Sequence, residues 1–280
     1  MAEFNKWLHS QLRVFGTTAR KEFLIFTRYP ANAVLSLIEP LMWLTPLYFM
    51  GKAFSVGGHA VGFEGFAGTS DYFSFVMVGA FMSSYIAVAF WGMAYSIEED
   101  MILGVLEPNW VTPANRVSML LGRSITFALL TTLQSMGVLL MGALLFDVKI
   151  SGDIFVALLI IVPMLIAILG LGLGLAGVVL AIRRAQTAID ISNWVVSQIS
   201  GMQFPVTVLP KPLMAVALLL PTTYGYDAVR SVLLGTSSLL PVKQEIMILV
   251  ISAVVLCTFG GIVFYAFDGR CRRLGTIGGQ

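Results

Sequence analysis

Asp190, Asn193, Trp194, Ser197, Gln198 and Gly201 recur at steps of three and four along an otherwise apolar stretch, so a helix carries them on one side. Lipid does not accept such a face, because a central acidic side chain costs about 2.5–3.5 kcal/mol on insertion scales. Two uses remain open: hydrogen bonding to neighbouring helices, or lining a wet path for cargo. Directly after this face, residues 201–230 (GMQFPVTVLPKPLMAVALLLPTTYGYDAVR) are apolar enough for a membrane yet carry Pro205, Pro210, Pro212 and Pro221. Proline removes a backbone donor, and unsatisfied backbone in hydrocarbon is expensive, so the segment is expected to dip into the bilayer and leave on the same side. Its apolar run Leu213 to Leu220 is far shorter than the roughly 20 residues of a crossing. Two short helices parted at Pro221 are predicted.

A third group opens the stretch SIEEDMILGVLEPNWVTPANR, where Glu98, Glu99 and Asp100 precede Ile102, Leu103, Val105 and Leu106. Acidic residues suit the first turn of a helix, whose free amides favour negative charge. Pro108 should end or kink that helix early. Glu39 and Arg123 fall at similar depths in their apolar runs and are expected to pair.

Other chemistries are excluded. Gly172, Gly174 and Gly177 match the dinucleotide-binding spacing, but they lie within an apolar run and not between a strand and a helix; Gly170 and Gly174 instead give small-residue spacing for close helix packing. There is no phosphate-binding GxxxxGK[ST] loop and no HExxH, and the only histidines are His9 and His59. Neither a catalytic set nor a metal site is expected, and Cys257 and Cys271 are read as free thiols. Nucleic acid is not an expected partner.

The elements that position these groups follow from hydropathy. Of the 280 residues 58% are hydrophobic and 11% charged, with a mean hydropathy of +0.88, which makes this a polytopic all-α membrane protein. Apolar runs near 33–54, 72–97, 117–146, 154–182, 187–204 and 245–267 predict six transmembrane helices. Twelve of the 17 basic residues then fall on the side of both termini, which makes that side cytoplasmic. A seventh span over 213–234 would bury Asp227 and Arg230 and move the last arginines outside. Residues 1–30 place Phe4, Trp7, Leu8, Leu12 and Phe15 at helical spacing, fitting a cytoplasmic helix at the membrane interface or against a partner protein. The expected organisation is therefore this helix, a six-helix domain over 31–270 with a loop at 98–113 and an external re-entrant segment at 205–244, and a cytoplasmic tail at 271–280.

The chain resembles the membrane subunit of type-two ABC exporters, the family of polysaccharide-export, teichoic-acid and antibiotic-resistance permeases. Glu98, Glu99, Gly104, Leu106, Glu107, Thr112 and Pro113 carry the likeness in the first loop, although Pro108 departs from the apolar residue expected there. Gly201, Phe204, Pro205, Leu209, Pro210, Pro221, Tyr224 and Arg230 carry it in the second region. The resemblance implies a coupling helix at Glu98–Pro113, docking on two separate ATP-binding-cassette subunits that hold ATP and Mg, with no cofactor on this chain. It implies a second permease subunit, an external gate that includes Asp227, and a cargo path along Asp190–Gln198. A prokaryotic plasma (inner) membrane and export of an amphipathic drug, antibiotic or lipid follow from it, with polysaccharide or glycolipid as the alternative. A channel or secondary carrier acting without ATP is the reading from another class.

Overall fold

A computed structural model describes residues 2–28, 30–55, 61–146, 148, 152–182 and 185–274. Among them the chain is helical and contains no strand. It runs through α1 (Ala2–Arg28), α2 (Pro30–Ala53), α3 (Val61–Ala67) and α4 (Tyr72–Ala89); a π-helical segment (Phe90–Tyr95) joins α4 to α5 (Ser96–Ile102). Then follow α6 (Leu106–Val111), α7 (Arg116–Phe146), α8 (Ile154–Ile182), α9 (Gln186–Ile199), α10 (Lys211–Leu219), α11 (Pro221–Leu234) and α12 (Val242–Arg273).

Among the described residues five helices are long and apolar enough to span a membrane: Val34–Ala53, Tyr72–Ile102, Arg116–Phe146, Ile154–Ile182 and Val242–Arg273. The run expected over 187–204 is a helix of only 14 residues, α9, which rises about 21 Å against a hydrocarbon core of about 30 Å. Turns and bends take over at Ser200–Phe204, before Pro205. α12 continues through Arg273, so the expected tail begins as helix; residues 275–280 lie outside the described set, as do His59 and the side chains of Phe4, Trp7, Leu8, His9 and Leu12.

The helix through α4 is the centre of the bundle, with 78% of its most apolar 18-residue stretch buried, whereas α2 is peripheral, with 6% of its own. Around that centre α8 and α12 form the closest pair. A methyl group on Gly260 would lie 1.9 Å from the Gly170 carbonyl oxygen, so only glycine lets the two backbones approach this far. Their contacts rise together along both helices, from Gly170 with Leu256 and Cys257, through Gly174 with Gly260, to Gly177 with Phe264. The two helices therefore run in the same direction, and the chain between them must return to the end where α8 began. Gly172 packs instead on the carbonyl of Ala89 in α4. The dinucleotide-like spacing is a helix-packing surface.

α10 and α11 form a hairpin with its bend at Leu220–Pro221. Gly225 meets Met164, ten residues and about 15 Å into α8, while Val232 meets Gly152 just before α8 starts. α11 is thus antiparallel to α8, and the bend is the deepest point of the hairpin. The end of the bundle near Gly152 and Phe75 is called the hairpin end below, and the opposite end, with residues 98–123, the loop end.

Candidate functional site

At the loop end, the π-helical segment keeps residues 72–102 one continuous helix of about 45 Å, so Glu98, Glu99 and Asp100 lie in its last turns rather than in the first turn of a new helix. That corrects the expected helix start. Negative charge is unfavourable at a helix C-terminus, and each acid here has an outside partner. Arg123 of α7 donates through Nη2 to Glu99 Oε2 at 2.7 Å and through Nη1 to Asp100 Oδ1 at 2.9 Å, and its Nε lies 3.2 Å from Glu22 Oε1 of α1. The expected Glu39–Arg123 pair is absent, because these three carboxylates take Arg123 while Glu39 is exposed on α2. Glu98 is buried, and its Oε1 accepts the Ala185 N–H at 3.1 Å, immediately before α9. This acid satisfies the N-terminus of a different helix.

The chain then turns at Gly104, whose φ of +68° suits a residue without Cβ. α6 follows, and Pro108 does not break it, since it sits in the first turn, where its missing N–H has no intrahelical partner to lose. Leu106 and Trp110 are buried, whereas Ile102, Leu103, Gly104, Val105, Glu107, Val111 and Pro113 are exposed. Trp110 Nε1 donates to Asp268 Oδ1 of α12 at 2.9 Å, and Arg116 donates to both Asp268 Oδ2 (3.2 Å) and the Trp110 carbonyl (3.1 Å). The loop thus has an apolar, exposed tip and a base fastened to α1, α7, α9 and α12. Glu22, Trp110, Arg116 and Asp268 were not anticipated; Trp110 and Asp268 are 158 residues apart, and no local pattern joins them.

At the hairpin end the centre is Arg230, which is 4% exposed. Its guanidinium donates to the carbonyls of Gly201 and Met202, each at 2.6 Å, and of Phe75 at 3.2 Å. It also lies 3.5 Å from the centre of the Phe75 ring. Burial of Arg230 counts against a seventh span over 213–234; in the short helix α11 it is nevertheless buried, and these carbonyls together with the aromatic faces of Phe75 and Tyr226 meet the cost. Burial pushes the guanidinium below its usual range, opposed by Tyr226 and Asp227. The 201–202 turn is therefore held between α4 and α11. Tyr224 donates to the Leu218 carbonyl at 2.9 Å across the bend, beside buried Pro221, and Asp227 accepts the Leu239 N–H. Pro205, Asp227 and Arg230 line a cavity of about 150 Å³ with Phe66, Phe75 and Tyr226. Phe204 and Leu209 are half-buried, and Pro210 is exposed directly before α10.

α9 links the two ends, but its polar residues do not act as one face. Asp190 and Trp194 are exposed, Ser197 is buried, and Asn193 and Gln198 are intermediate. Gln198 Nε2 approaches Met202 Sδ at 3.9 Å, and Ser200 hydrogen-bonds Thr222 of α11. Periodicity locates the stripe without saying what covers it.

No group of three metal-ligating side chains is present among the described residues. No curated protein matches the chain significantly. A family described as ABC-2 family transporter protein matches residues 44–262, more than half of the sequence and both ends just described. The chain belongs to the ABC-2 transporter family and is a permease subunit, a membrane component of a transporter.

Proposed function

We propose that this permease is the membrane half of an ATP-driven exporter, working with two ATP-binding-cassette subunits and a second permease subunit, identical or related. The observation that carries the reading is the loop end: an exposed apolar tip, Ile102 to Val105 and Val111, on a base tied to four helices. Such a tip suits a groove on a partner subunit, and a fastened base passes displacement into the bundle rather than absorbing it in a soft linker. ATP and Mg are held by the partner. Its ATP-bound state acts on the bundle by binding one arrangement of the loop better than the other.

The parallel course of α8 and α12 supports a sixth crossing, made by α9 and completed by the chain at 200–205. With six crossings, both termini and the loop end are cytoplasmic, in a prokaryotic inner membrane, and the hairpin is the external gate. Cargo moves along α9, where exposed Asp190 and Trp194 face the second subunit, and leaves past Gly201–Arg230. An amphipathic drug, antibiotic or lipid is the cargo class.

Copurification with the products of neighbouring genes, followed by uptake into inverted vesicles of a panel of lipids, drugs and glycolipids, tests this. Expected are a bound P-loop ATPase and ATP-dependent uptake that Leu103→Asp lowers at least tenfold. Transport without ATP, or with no ATPase bound, would leave a channel or secondary carrier. Uptake of glycolipid alone would move the cargo to the polysaccharide class.

A further inference from the structure

α1 presents two adjoining faces at the loop end. Gln11, Phe15, Thr18 and Glu22, at steps of three and four, meet α7 at Ser118, Gly122 and Arg123, so the two helices run the same way, from the loop end inward. Thr17, Arg20, Lys21, Leu24 and Arg28 have the same spacing on the next face and, with Ile25, line an open groove of about 350 Å³. Leu24 and Ile25 are exposed, as is Phe23 beside them. No acid lines this groove, and neither Arg20 nor Arg28 has an ion-pair partner among the described residues. Lys21 Nζ lies 3.6 Å from Glu22 Oε1, an oxygen that Arg123 approaches more closely, at 3.2 Å.

A second cavity, of about 250 Å³, continues from the groove, because Thr17 and Lys21 line both. It runs behind the loop, between α1, α6 and α7, with Asp100, Asn109, Trp110 and Arg123 in its wall. Asp100 gives Oδ1 to Arg123, which leaves Oδ2 to accept, and the half-buried Asn109 amide offers both donors and an acceptor. The groove is thus apolar and basic, and the cavity behind it is polar.

Basic side chains beside apolar ones on an open helix face suit a membrane surface, where the cations meet phosphate and the apolar groups meet acyl chains. We propose that groove and cavity together bind one anionic phospholipid per subunit. Its phosphate sits at Arg20 and Lys21, its acyl chains lie along Leu24 and Ile25, and a hydroxyl-bearing headgroup, glycerol being the simplest, enters the cavity. There its hydroxyls donate to Asp100 Oδ2 and bond the Asn109 amide. The directions agree: Leu24 and Ile25 lie on the side of the phosphate toward α2, a spanning helix, and the cavity lies on the side of the loop. An occupied cavity braces the loop against α1. The site rests only on the chain's place in a membrane; its consequence, tighter coupling of ATP use to transport, rests on the exporter reading.

Native mass spectrometry of the full chain with added phosphatidylglycerol, phosphatidic acid or phosphatidylcholine tests the site without ATPase or cargo. Wild type should retain one phosphatidylglycerol per subunit in preference to phosphatidylcholine. Arg20→Gln combined with Lys21→Gln should weaken that retention about thirtyfold, the effect of two basic residues at a charged surface, while Arg13→Gln, exposed on α1 outside the groove, should leave it unchanged. Asn109→Leu should weaken phosphatidylglycerol about fivefold and spare phosphatidic acid, which has no headgroup beyond its phosphate. Thermal unfolding gives a second reading: phosphatidylglycerol should raise the Tm of wild type and Arg13→Gln but not of the double variant. The proposal is overturned if Arg13→Gln loses the lipid as fully as the double variant, which would make the attraction diffuse. It is overturned equally if millimolar inorganic phosphate displaces the lipid, or if a bound ATPase subunit expels it, which would make the face a protein-docking surface. If retention behaves as expected but ATP-dependent transport is equal in phosphatidylglycerol and phosphatidylcholine vesicles, the exporter reading is at fault and the lipid site stands.

Discussion

Arg123 at the loop end meets three carboxylates from two helices, while Arg230 at the hairpin end meets three backbone carbonyls and two aromatic rings. The first arrangement rests on attraction between opposite charges, which declines slowly with distance and tolerates rotation. Hydrogen bonds to carbonyls weaken steeply as the angle closes toward about 120°, so the second arrangement holds one backbone shape or releases it. A coupling element gains from the first property and a gate from the second. On the proposed function, the difference suits transmission at one end and an all-or-none closure at the other.

The largest effect is expected at Arg230, where Arg230→Met strands the carbonyls of Phe75, Gly201 and Met202. Removing one partner of a buried charged arrangement costs about 3–5 kcal/mol, so folded yield should collapse and Tm should fall sharply in detergent. Arg230→Lys should recover only part of the loss, because an ammonium on a flexible stem lacks the planar fork that reaches all three oxygens. Full stability in Arg230→Lys would mean that charge alone matters, and the contrast with Arg123 would disappear.

A smaller and graded response is expected at Arg123. Asp100 is 10% exposed and Glu99 44%, so water screens the Glu99 pair far more. Asp100→Asn should cost about 1.5–3 kcal/mol and Glu99→Gln less than about 1 kcal/mol. The same order is expected in transport per ATP hydrolysed when the subunits are reconstituted. Equal effects would show that the three carboxylates share Arg123 without rank.

Several apolar helix ends are legible in the sequence, since those at 146, 154 and 182 follow directly from where apolar residues stop. The hairpin bend was legible at Pro221, because proline constrains its own neighbourhood. Partners were not legible. Arg123 had Glu39 as a plausible match by depth, but depth fixes only the axial coordinate, and the rotation of α2 and α7 decides which acids arrive. The acidic run was misread as a helix start because a π-helical segment continues the preceding helix, and FWGMAY gives no breaker or cap to signal it. Glu245 gives no signal as one acid at the end of an apolar run, yet it is fully buried in the first turn of α12.

Glu98 offers a small expected effect and the finest division between charge and hydrogen bonding. Its carboxylate accepts the Ala185 N–H and adds negative charge beside the first turn of α9. Glu98→Gln keeps an acceptor and loses only the charge, which at a helix N-terminus is worth about 0.3–1 kcal/mol. Glu98→Ala loses both, and by analogy with removal of an N-terminal cap should cost about 0.5–2 kcal/mol. Thermal unfolding of both variants separates the contributions. If Gln matches wild type and Ala does not, the tie from the loop to α9 is a hydrogen bond of the kind that holds Arg230, and α9 is joined to both ends by geometry. If Gln falls as far as Ala, the loop end works through charge even where it meets a backbone amide.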